Sequence, residues 1–442
     1  MTATSTRTLA IVALMCGICA LAAGSTLAQT YTITHVTAPT GSGVPISPRA
    51  GSIALADFNG DTQLDVAVAG TSVSGVAVFR SGSIATNWVP AGRWPIALAA
   101  ADFDADGDID LASANRNEGG VAILTNDGTG QFTRTAFYAT GSVPFALVAA
   151  DMDKDDAMDL VVANRTSGTV VVLGNTAGVF SVRQTIPLPL AIPGAPANVS
   201  CEPNDLVAVD LDSDTLPDVA VTCAADDTVK ILTSTSGTLA LTGTYVAGWY
   251  PLGISTGDFN GDGRLELAVA SGEASQVTLL QSDLLGGYTV QDVSLVTAPY
   301  TWPTAIDVQA VDVDADGDFD LLAAGLTLLN DGQGAFTVAP TTSLQGSVYT
   351  AAPTPAGLAV AAYRPGTIEL KQFAAPAGST ADPADINGDG VVNVFDLQVL
   401  AASWNKSAGQ QGFDPRADID GNGTVNVFDL MALAVRFGQR VR

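Results

Sequence analysis

Six short stretches of the sequence carry oxygen-bearing side chains at one fixed spacing. Each begins with an aspartate and has further carboxylate or amide oxygens two, four and eight positions later. Alternate oxygens on a tight loop can converge on one point, where a hard cation turns the repulsion between carboxylates into coordination. Calcium accepts about six to eight oxygens in flexible geometry, whereas magnesium needs a stricter octahedron. The spacing therefore predicts calcium sites.

We number these stretches loops 1 to 6 in chain order. The sixth position of such a loop favours a left-handed backbone, which glycine adopts freely and a β-branched residue resists. Thr62 and Thr215 stand there in loops 1 and 4, so we expect weaker calcium binding than in the loops with Gly107, Gly263 and Gly317. The predicted ligands are Asp57, Asn59, Asp61 and Asp65 in loop 1; Asp102, Asp104, Asp106 and Asp110 in loop 2; Asp151, Asp153, Asp155 and Asp159 in loop 3; Asp210, Asp212, Asp214 and Asp218 in loop 4; Asp258, Asn260, Asp262 and Glu266 in loop 5; and Asp312, Asp314, Asp316 and Asp320 in loop 6.

The residues around each loop are typical of β-strands. Loop 3, for example, follows "FALVAA" and precedes "LVVA" and "TVVVL", with Gly, Asn and Ser between the runs. The loop starts lie 45, 49, 59, 48 and 54 residues apart. A period of about 50 residues with several strands in each unit is typical of propeller blades. The pattern predicts an all-β propeller.

Loops and strands together resemble the FG-GAP/VCBS repeats, which form calcium-bearing β-propellers such as the integrin α head. "NDGTGQF" and "NDGQGAF", which begin at Asn126 and Asn330, match that family as well. The resemblance covers residues 29–373 and implies seven blades, with about six Ca²⁺ in the loops between strands one and two. In the seventh blade "AAPTP" stands where ligands would be. We expect the strand "YTITHVTAP" at Tyr31 to complete that blade and close the ring.

Two segments near the end of the sequence, "DINGDGVVNVFDL" and "DIDGNGTVNVFDL", have the spacing of EF-hand loops. Apolar runs of helical type, "LQVLAASW" and "LMALAVRF", follow them. The predicted calcium ligands are Asp385, Asn387, Asp389, Val391, Asn393 and Asp396 in the first segment and Asp418, Asp420, Asn422, Thr424, Asn426 and Asp429 in the second, with Val391 and Thr424 acting through their backbone carbonyls.

This tandem resembles a type I dockerin, a small all-α module that binds two Ca²⁺ and docks onto cohesin domains in extracellular assemblies. Both copies keep Asp at position 12, where ordinary EF-hands favour Glu. The resemblance implies a cohesin-like partner. Positions 10 and 11, often polar in dockerins of cellulosomes, are Val394–Phe395 and Val427–Phe428 in this sequence. The partner is then an unusual cohesin, or the module docks within its own chain.

The sequence divides into a signal peptide (1–28), the propeller (29–373), a linker (374–383) and the dockerin (384–442). The first 28 residues have Arg7, an apolar run and a small-residue cleavage site ending at Ala28; an uncleaved anchor is the alternative. No later stretch has the roughly 18 apolar residues of a membrane span. We therefore expect a secreted protein, extracellular or at the cell surface. With 18 basic residues against 45 acidic ones, nucleic acid is excluded as a partner.

Two cysteines, Cys201 and Cys223, remain after removal of the signal peptide. In an oxidising compartment they are expected to form a disulfide. A pair of unlinked thiols is the alternative.

The sequence offers little for catalysis, and we predict no catalytic residue. The single histidine, His35, cannot build a multi-histidine zinc site and has no convincing triad partners. Carboxylates that recur in every repeat are better explained as metal ligands than as a glycosidase pair. A lyase that uses Arg or Tyr stays open.

A candidate ligand face lies at the end of the blades opposite the loops. Aromatic faces beside planar guanidinium donors can bind sugar rings or acidic glycans. The alternative is that these aromatic side chains cap the core between blades. The predicted ligand-binding residues are Arg93, Trp94, Arg116, Arg165, Tyr250 and Trp302.

The leading prediction is a binding or adhesion module, for a glycan or a protein ligand, that its dockerin tethers to an extracellular assembly. The first alternative is a dockerin-borne polysaccharide hydrolase or lyase, which is less favoured. The second is a structural surface protein.

Overall fold

The structure is a computed structural model that describes most of residues 53–374 and a few positions beyond them. The predicted signal peptide and the predicted closing strand at Tyr31 lie outside the described residues. The described ranges are 53–61, 64–70, 74–80, 88–191, 199–272, 276–283, 287–295, 307–313, 316, 318–324, 326–339, 347–354, 357–364 and 367–374, with the single positions 400, 403, 406, 416, 417, 419, 424, 425 and 433.

The described strands form seven antiparallel sheets, six of four strands and one of three. In every sheet the strands pair in chain order, so each sheet is a simple meander. Sheet 1 contains β1 (Ile53–Ala56), β2 (Asp65–Gly70), β3 (Gly75–Phe79) and β4 (Trp88–Pro90); sheet 2 contains β5 (Pro95–Ala101), β6 (Asp110–Asn115), β7 (Gly120–Asn126) and β8 (Phe132–Ala139); sheet 3 contains β9 (Pro144–Ala150), β10 (Asp159–Asn164), β11 (Thr169–Thr176) and β12 (Val179–Pro187).

The remaining four sheets follow the same order. Sheet 4 contains β13 (Pro203–Val209), β14 (Asp218–Cys223), β15 (Thr228–Thr235) and β16 (Thr238–Val246); sheet 5 contains β17 (Pro251–Gly257), β18 (Glu266–Ser271), β19 (Gln276–Ser282) and β20 (Tyr288–Ser294); sheet 6 contains β21 (Val308–Val311), β22 (Asp320–Ala323), β23 (Leu326–Leu329) and β24 (Thr337–Val338); sheet 7 contains β25 (Ser347–Thr354), β26 (Gly357–Arg364) and β27 (Thr367–Ala374). The described part of residues 53–374 contains no helix, and no described helix is long and apolar enough to cross a membrane.

Burial differs systematically between the strands of a sheet. Every residue of the second strands β2, β6, β10, β14 and β18 is buried. These strands consist mainly of Ala, Val and Leu, because a strand covered on both faces needs small or branched apolar side chains throughout. The fourth strand β8 alternates between half-buried and exposed residues, as a strand with one wet face does.

The sheets are joined into a ring through their first strands. Contacts run from β1 to β5, β9, β13, β17, β21 and β25 in turn, and β25 contacts β1 again. Apolar clusters fill the spaces between neighbouring sheets; Phe103 and Leu160, for example, share one cluster between sheets 2 and 3. The architecture is all-β and consistent with a propeller.

Two sequence features have clear positions in this ring. Loops 1 to 6 join the first and second strands of sheets 1 to 6, so they share one end of the ring. Sheet 7 has no acidic loop, and its strands β26 and β27 coincide with the run "AGLAVAAYRPGTIELKQF". Cys201, which precedes the first strand of sheet 4, forms a disulfide with Cys223 at the end of β14, with the Cα atoms 5.0 Å apart.

Candidate metal centres

Among the described residues, carboxylates converge in four of the acidic loops. In each cluster one oxygen from every member lies within 4.8 Å of the others. Asp314 and Gly317 of loop 6 and Thr62 of loop 1 lie outside the described residues. The clusters are Asp102, Asp104 and Asp110 in loop 2; Asp151, Asp153 and Asp155 in loop 3; Asp210, Asp212 and Asp218 in loop 4; and Asp258, Asp262 and Glu266 in loop 5.

In loops 1 to 5 the first aspartate organises the loop backbone around its own carboxylate. Asp102 accepts hydrogen bonds from the amide of Ala105 at Oδ1 (2.8 Å) and from the amide of Gly107 at Oδ2 (2.9 Å). Asp258 accepts the amides of Gly261 and Gly263 in the same way, at 2.8 and 2.9 Å. These bonds curl the loop inward, so the next oxygen-bearing side chains face a common centre.

The sixth loop position has a left-handed backbone wherever it is described. The φ angles are 96° at Gly107, 67° at Asp156, 76° at Thr215 and 85° at Gly263. A β-branched residue in this conformation is strained. Thr215 therefore adopts the loop geometry at a cost, and weaker calcium binding by loop 4 stays a prediction.

The ninth loop position has a structural role that the sequence analysis missed. Its carboxylate is almost fully buried in all six loops, and it accepts the backbone N–H of the second loop residue each time, at distances from 2.8 to 3.3 Å. The sequence contains a signal for this role, because the ninth loop residue is also the first residue of the following strand. The residue thus closes the loop onto the sheet, and in loops 2, 4 and 5 it also belongs to the carboxylate cluster.

Burial of the ninth-position carboxyl groups disfavours their charged form. It raises the pKa of Asp110 and Asp218 to about 6 and that of Glu266 to about 7, although backbone N–H donors act in the opposite direction. In loop 3, Asp153 Oδ1 is buried without a hydrogen-bond partner. In loops 2, 4 and 5, where the ninth-position acid joins the cluster, the partly desolvated carboxylate oxygens fit a hard divalent cation.

A buried asparagine connects neighbouring loops at three junctions between sheets. Asn126 Nδ2 donates to Phe58 O of loop 1 at 2.8 Å and to Ile109 O of its own loop at 3.0 Å. Asn175 bonds in the same way to Phe103 O and Met158 O, and Asn330 repeats the pattern between sheets 5 and 6. We call this arrangement the asparagine clamp.

The clamp is replaced by serine in sheets 4 and 5. Ser234 and Ser282 stand at the corresponding positions, and both hydroxyl oxygens are buried without a hydrogen-bond partner. A cavity of about 330 Å³ lies at the loop end of sheets 4 and 5, lined by Asp212, Arg264 and Ser282 among others. The shorter side chain cannot span this gap, so the loops of sheets 4 and 5 lack the connection.

Asn175→Ala should destabilise the repeat region by about 2–4 kcal/mol, because it leaves one buried and one partly buried carbonyl without their donor. Urea unfolding in calcium buffer would measure this. The matched control is Ser282→Ala, which removes a hydroxyl that bonds to nothing and should cost less than about 0.5 kcal/mol. Equal costs for the two variants would contradict the clamp.

The end of the ring opposite the loops has its own repeated backbone feature. The residue before the first-strand proline has a positive φ in four sheets: 62° at Trp94, 59° at Val143, 53° at Glu202 and 55° at Tyr250. Each carbonyl accepts an N–H from the turn between strands two and three, such as Arg116 N to Trp94 O at 2.9 Å. A non-glycine residue in this conformation is strained, and strained residues cluster at binding and active sites.

Side chains from three sheets meet on this face. Arg165 Nη2 lies 2.7 Å from Glu202 Oε2 and 2.8 Å from the Tyr250 hydroxyl, and the guanidinium lies 5.1 Å from the centre of the Phe145 ring. The structure therefore brings together two of the predicted ligand-binding residues, Arg165 and Tyr250, and adds Glu202, which the sequence analysis did not select.

Exposed aromatic side chains flank this group. Trp94 is 42% exposed, and the Arg116 guanidinium lies 5.7 Å from its ring centre. Arg93 is exposed beside it. Trp249 is 69% exposed, and the sequence analysis missed it although it precedes Tyr250 directly. The predicted residue Trp302 lies outside the described residues.

The dockerin-like segments are described only at single positions. Leu400, Val425 and Leu433 are buried, and Val425 N donates to Lys406 O at 2.9 Å. Of the predicted calcium ligands in these segments only Thr424 is described, so the others stay predictions.

Comparison with solved structures gives similarity of fold alone. A crystal structure of BBS1N in complex with ARL6DN, soaked with mercury, shares 13% identity at a TM-score of 0.52 and covers 77% of this chain and 97% of that one. The same complex soaked with lead shares 14% identity at a TM-score of 0.52, with coverage of 78% and 98%. A protein from Lactobacillus plantarum shares 18% identity over 73% and 96% of the two chains at a TM-score of 0.47. No curated protein sequence matches this chain.

Family models match both parts of the sequence. The FG-GAP-like repeat model matches residues 57–113, 102–162, 210–269 and 258–323, and each match spans two successive acidic loops. The dockerin type I domain model matches residues 383–437. The chain therefore belongs to the proteins with FG-GAP-like repeats and carries a type I dockerin domain after them.

Proposed function

We propose that this protein is a secreted, calcium-stabilised seven-bladed β-propeller that binds a ligand on the face opposite its metal loops. Its dockerin attaches it to a cohesin-like partner in an extracellular assembly. The observation that carries the binding function is the convergence of Arg165, Glu202 and Tyr250 from three sheets on one strained, aromatic surface.

Calcium has a structural part in this proposal. The loop carboxylates would hold the ions at one end of the ring, and two further ions would fold the dockerin. A bound divalent cation supplies the positive charge that makes clusters such as Asp102, Asp104 and Asp110 compatible with a folded loop. The ring closure from β25 to β1 supports seven blades.

The chemistry of the face favours an acidic polysaccharide as the ligand. Trp94 and Trp249 offer exposed rings for stacking against sugars. Among the described residues Arg93 and Arg116 form no ion pair, so their guanidinium groups can bind a carboxylate on the ligand. Glu202 holds Arg165 in place as a support for this surface.

The test is to incubate the calcium-loaded protein with neutral and uronic-acid polysaccharides and to score both retention and newly formed chain ends. We expect retention of an acidic polysaccharide without new ends. Trp94→Ala should abolish retention and leave the melting temperature unchanged. The control is Phe137→Ala, which removes an exposed aromatic ring from the outer strand β8. A lower melting temperature with retention intact would instead mean that Trp94 caps the core.

An enzyme is the second candidate, because two acids occur outside the repeated pattern. Asp205 and Asp307 lie five residues before loops 4 and 6, where sheets 2, 3 and 5 have Ala97, Ala146 and Gly253. Burial raises the pKa of both, as a general acid requires. If the unchanged protein produced new polysaccharide chain ends and Asp205→Asn did not, the result would favour the enzyme.

A further inference from the structure

Loop 3 differs from the other clustered loops in which carboxylates come together. The clusters of loops 2, 4 and 5 include the ninth-position acid, namely Asp110, Asp218 and Glu266. The cluster of loop 3 consists of Asp151, Asp153 and Asp155, without its ninth-position acid Asp159. The carboxylate that completes the cluster elsewhere is therefore engaged differently in loop 3.

An arginine from the outer strand of the same sheet engages it. Arg183 in β12 extends its guanidinium into loop 3, where Nη1 lies 3.3 Å from Asp159 Oδ2 and Nη2 contacts Asp153 Oδ2. One fixed positive charge thus connects the second ligand position of the loop with the last. In loops 2, 4 and 5 no described arginine or lysine forms an ion pair with a loop carboxylate.

The local backbone explains how Arg183 reaches the loop. Arg183 is the unpaired residue of a β-bulge between β11 and β12, which turns its side chain along the sheet. The bulge residues at this position in sheets 2 and 4 are Thr135 and Thr242, which are too short to reach a loop.

A glycine in the neighbouring strand lies directly beside the arginine. A Cβ at Gly174 of β11 would lie in ordinary van der Waals contact with it, 3.6 Å from Arg183 Cβ and 3.7 Å from Arg183 Cδ. The corresponding positions in sheets 2 and 4 are Thr125 and Thr233. Sheet 3 thus combines a small residue on the third strand with a long cationic residue on the fourth, and the two fit each other.

We propose that Arg183 takes the place of the cation in loop 3, so that this loop is folded without calcium while the loops of sheets 2 and 5 require it. The inference rests on the proposed calcium binding of those other loops. A guanidinium that bridges two carboxylates satisfies their charge with directed hydrogen bonds. A calcium ion at the same place would have to displace it and would be repelled by it.

The consequence is a ring with one calcium-independent sheet. Chelation would loosen loops 2 and 5 and leave loop 3 ordered. Lys154 adds a second positive charge within loop 3, where the other described loops have Gly60, Ala105, Ser213 and Gly261. Sheet 3 would then be the stable element from which the ring reforms when calcium returns.

The test compares the full-length protein with Arg183→Thr, which copies the bulge residue of sheets 2 and 4. Calcium equivalents are counted by titration calorimetry and native mass spectrometry, and hydrogen exchange is followed in residues 151–159 with and without chelator. In the unchanged protein, loop 3 should keep its protection in chelator. Arg183→Thr should bind one more Ca²⁺ per chain, and chelator should then reduce loop 3 protection by about tenfold or more.

Two further variants make the result decisive. Arg183→Gln removes the charge at similar side-chain length and should behave like Arg183→Thr, which guards against a folding defect. Arg134→Thr is the matched control, because Arg134 in β8 pairs with Glu118 at 2.9 Å, away from any acidic loop. This variant should bind the same number of Ca²⁺ ions as the unchanged protein. Loss of loop 3 protection in the unchanged protein, in parallel with loop 2, would overturn the proposal. If chelator left hydrogen-exchange protection unchanged in every loop, the result would contradict calcium binding itself and this inference with it.

Discussion

Removal of calcium with a chelator should lower the melting temperature of the repeat region by roughly 10–20 °C. A ligand that binds only the folded state stabilises it by about 2.7 kcal/mol at a concentration one hundred times its dissociation constant. Several such loops together give a loss on the order of 10 kcal/mol, and about 2 °C per kcal/mol is expected for a region of this size. The carboxylates that remain would repel one another at close range, as in the cluster of Asp258, Asp262 and Glu266.

Differential scanning calorimetry before and after dialysis against chelator measures the effect. Magnesium should restore little of the lost stability and calcium all of it, because magnesium demands near-ideal octahedral geometry whereas calcium accepts flexible coordination by oxygens. The double variant Asp102→Asn with Asp104→Asn should lose the contribution of loop 2 alone. An unfolding profile that chelator leaves unchanged would refute the calcium role.

The free energy of unfolding of Asp205→Asn minus that of the unchanged protein should rise by about 4 kcal/mol between pH 4 and pH 8. Asp205 is half-buried as a residue, but its carboxyl group lies deep among protein atoms. Its hydrogen bonds in the described structure come from the amides of Leu206 at 2.9 Å and Ile254 at 3.2 Å. Burial raises the pKa of Asp205 to about 7.

The direction of this pH dependence follows from the protons that the folded and unfolded states bind. The unfolded state releases this proton near pH 3.9, whereas the folded state keeps it until about pH 7. The stability that Asp205 contributes is therefore complete below about pH 4 and is lost as the pH rises towards 7. Asparagine does not titrate, so the variant lacks this loss.

Asp307 provides a companion measurement. Burial and then the charge of Asp205 raise its pKa well above the usual range, and its Oδ2 is buried without a hydrogen-bond partner. Asp307→Asn should therefore give a pH dependence of the same sign, and the double variant should give less than the sum because the two carboxyl groups interact. Urea unfolding at pH 4.5 and pH 8, in saturating calcium, supplies the free energies. A stability difference between Asp205→Asn and the unchanged protein that does not vary with pH would rule out the buried acid.

The repeats could be located from the sequence because their signals are local. Backbone geometry forces the loop spacing, so Asp151, Asp153 and Asp155 can be recognised as one cluster without knowledge of the neighbouring sheets. The strand order was equally accessible, because an apolar run on either side of each acidic loop can pair only with its neighbour across that loop.

The contacts between sheets could not be predicted from the sequence in the same way. Asn126 and Phe58 are 68 residues apart, and the motif that begins at Asn126 does not indicate which carbonyl the side chain binds. Arg165 and Tyr250 are 85 residues apart and meet only because the ring brings three sheet edges to one face. Arg183 looks like an ordinary outer-strand residue until the bulge and Gly174 are seen beside it.

The sequence by itself determined the acidic loops, their strands and the dockerin-like tandem, since each depends on residues within about a dozen positions of one another. Only the tertiary structure decided how the loops are connected, which carboxylate an arginine already neutralises, and which polar side chains share the opposite face. Such contacts join residues distant in the chain, and they depend on distances of a few ångströms that side-chain types alone do not fix.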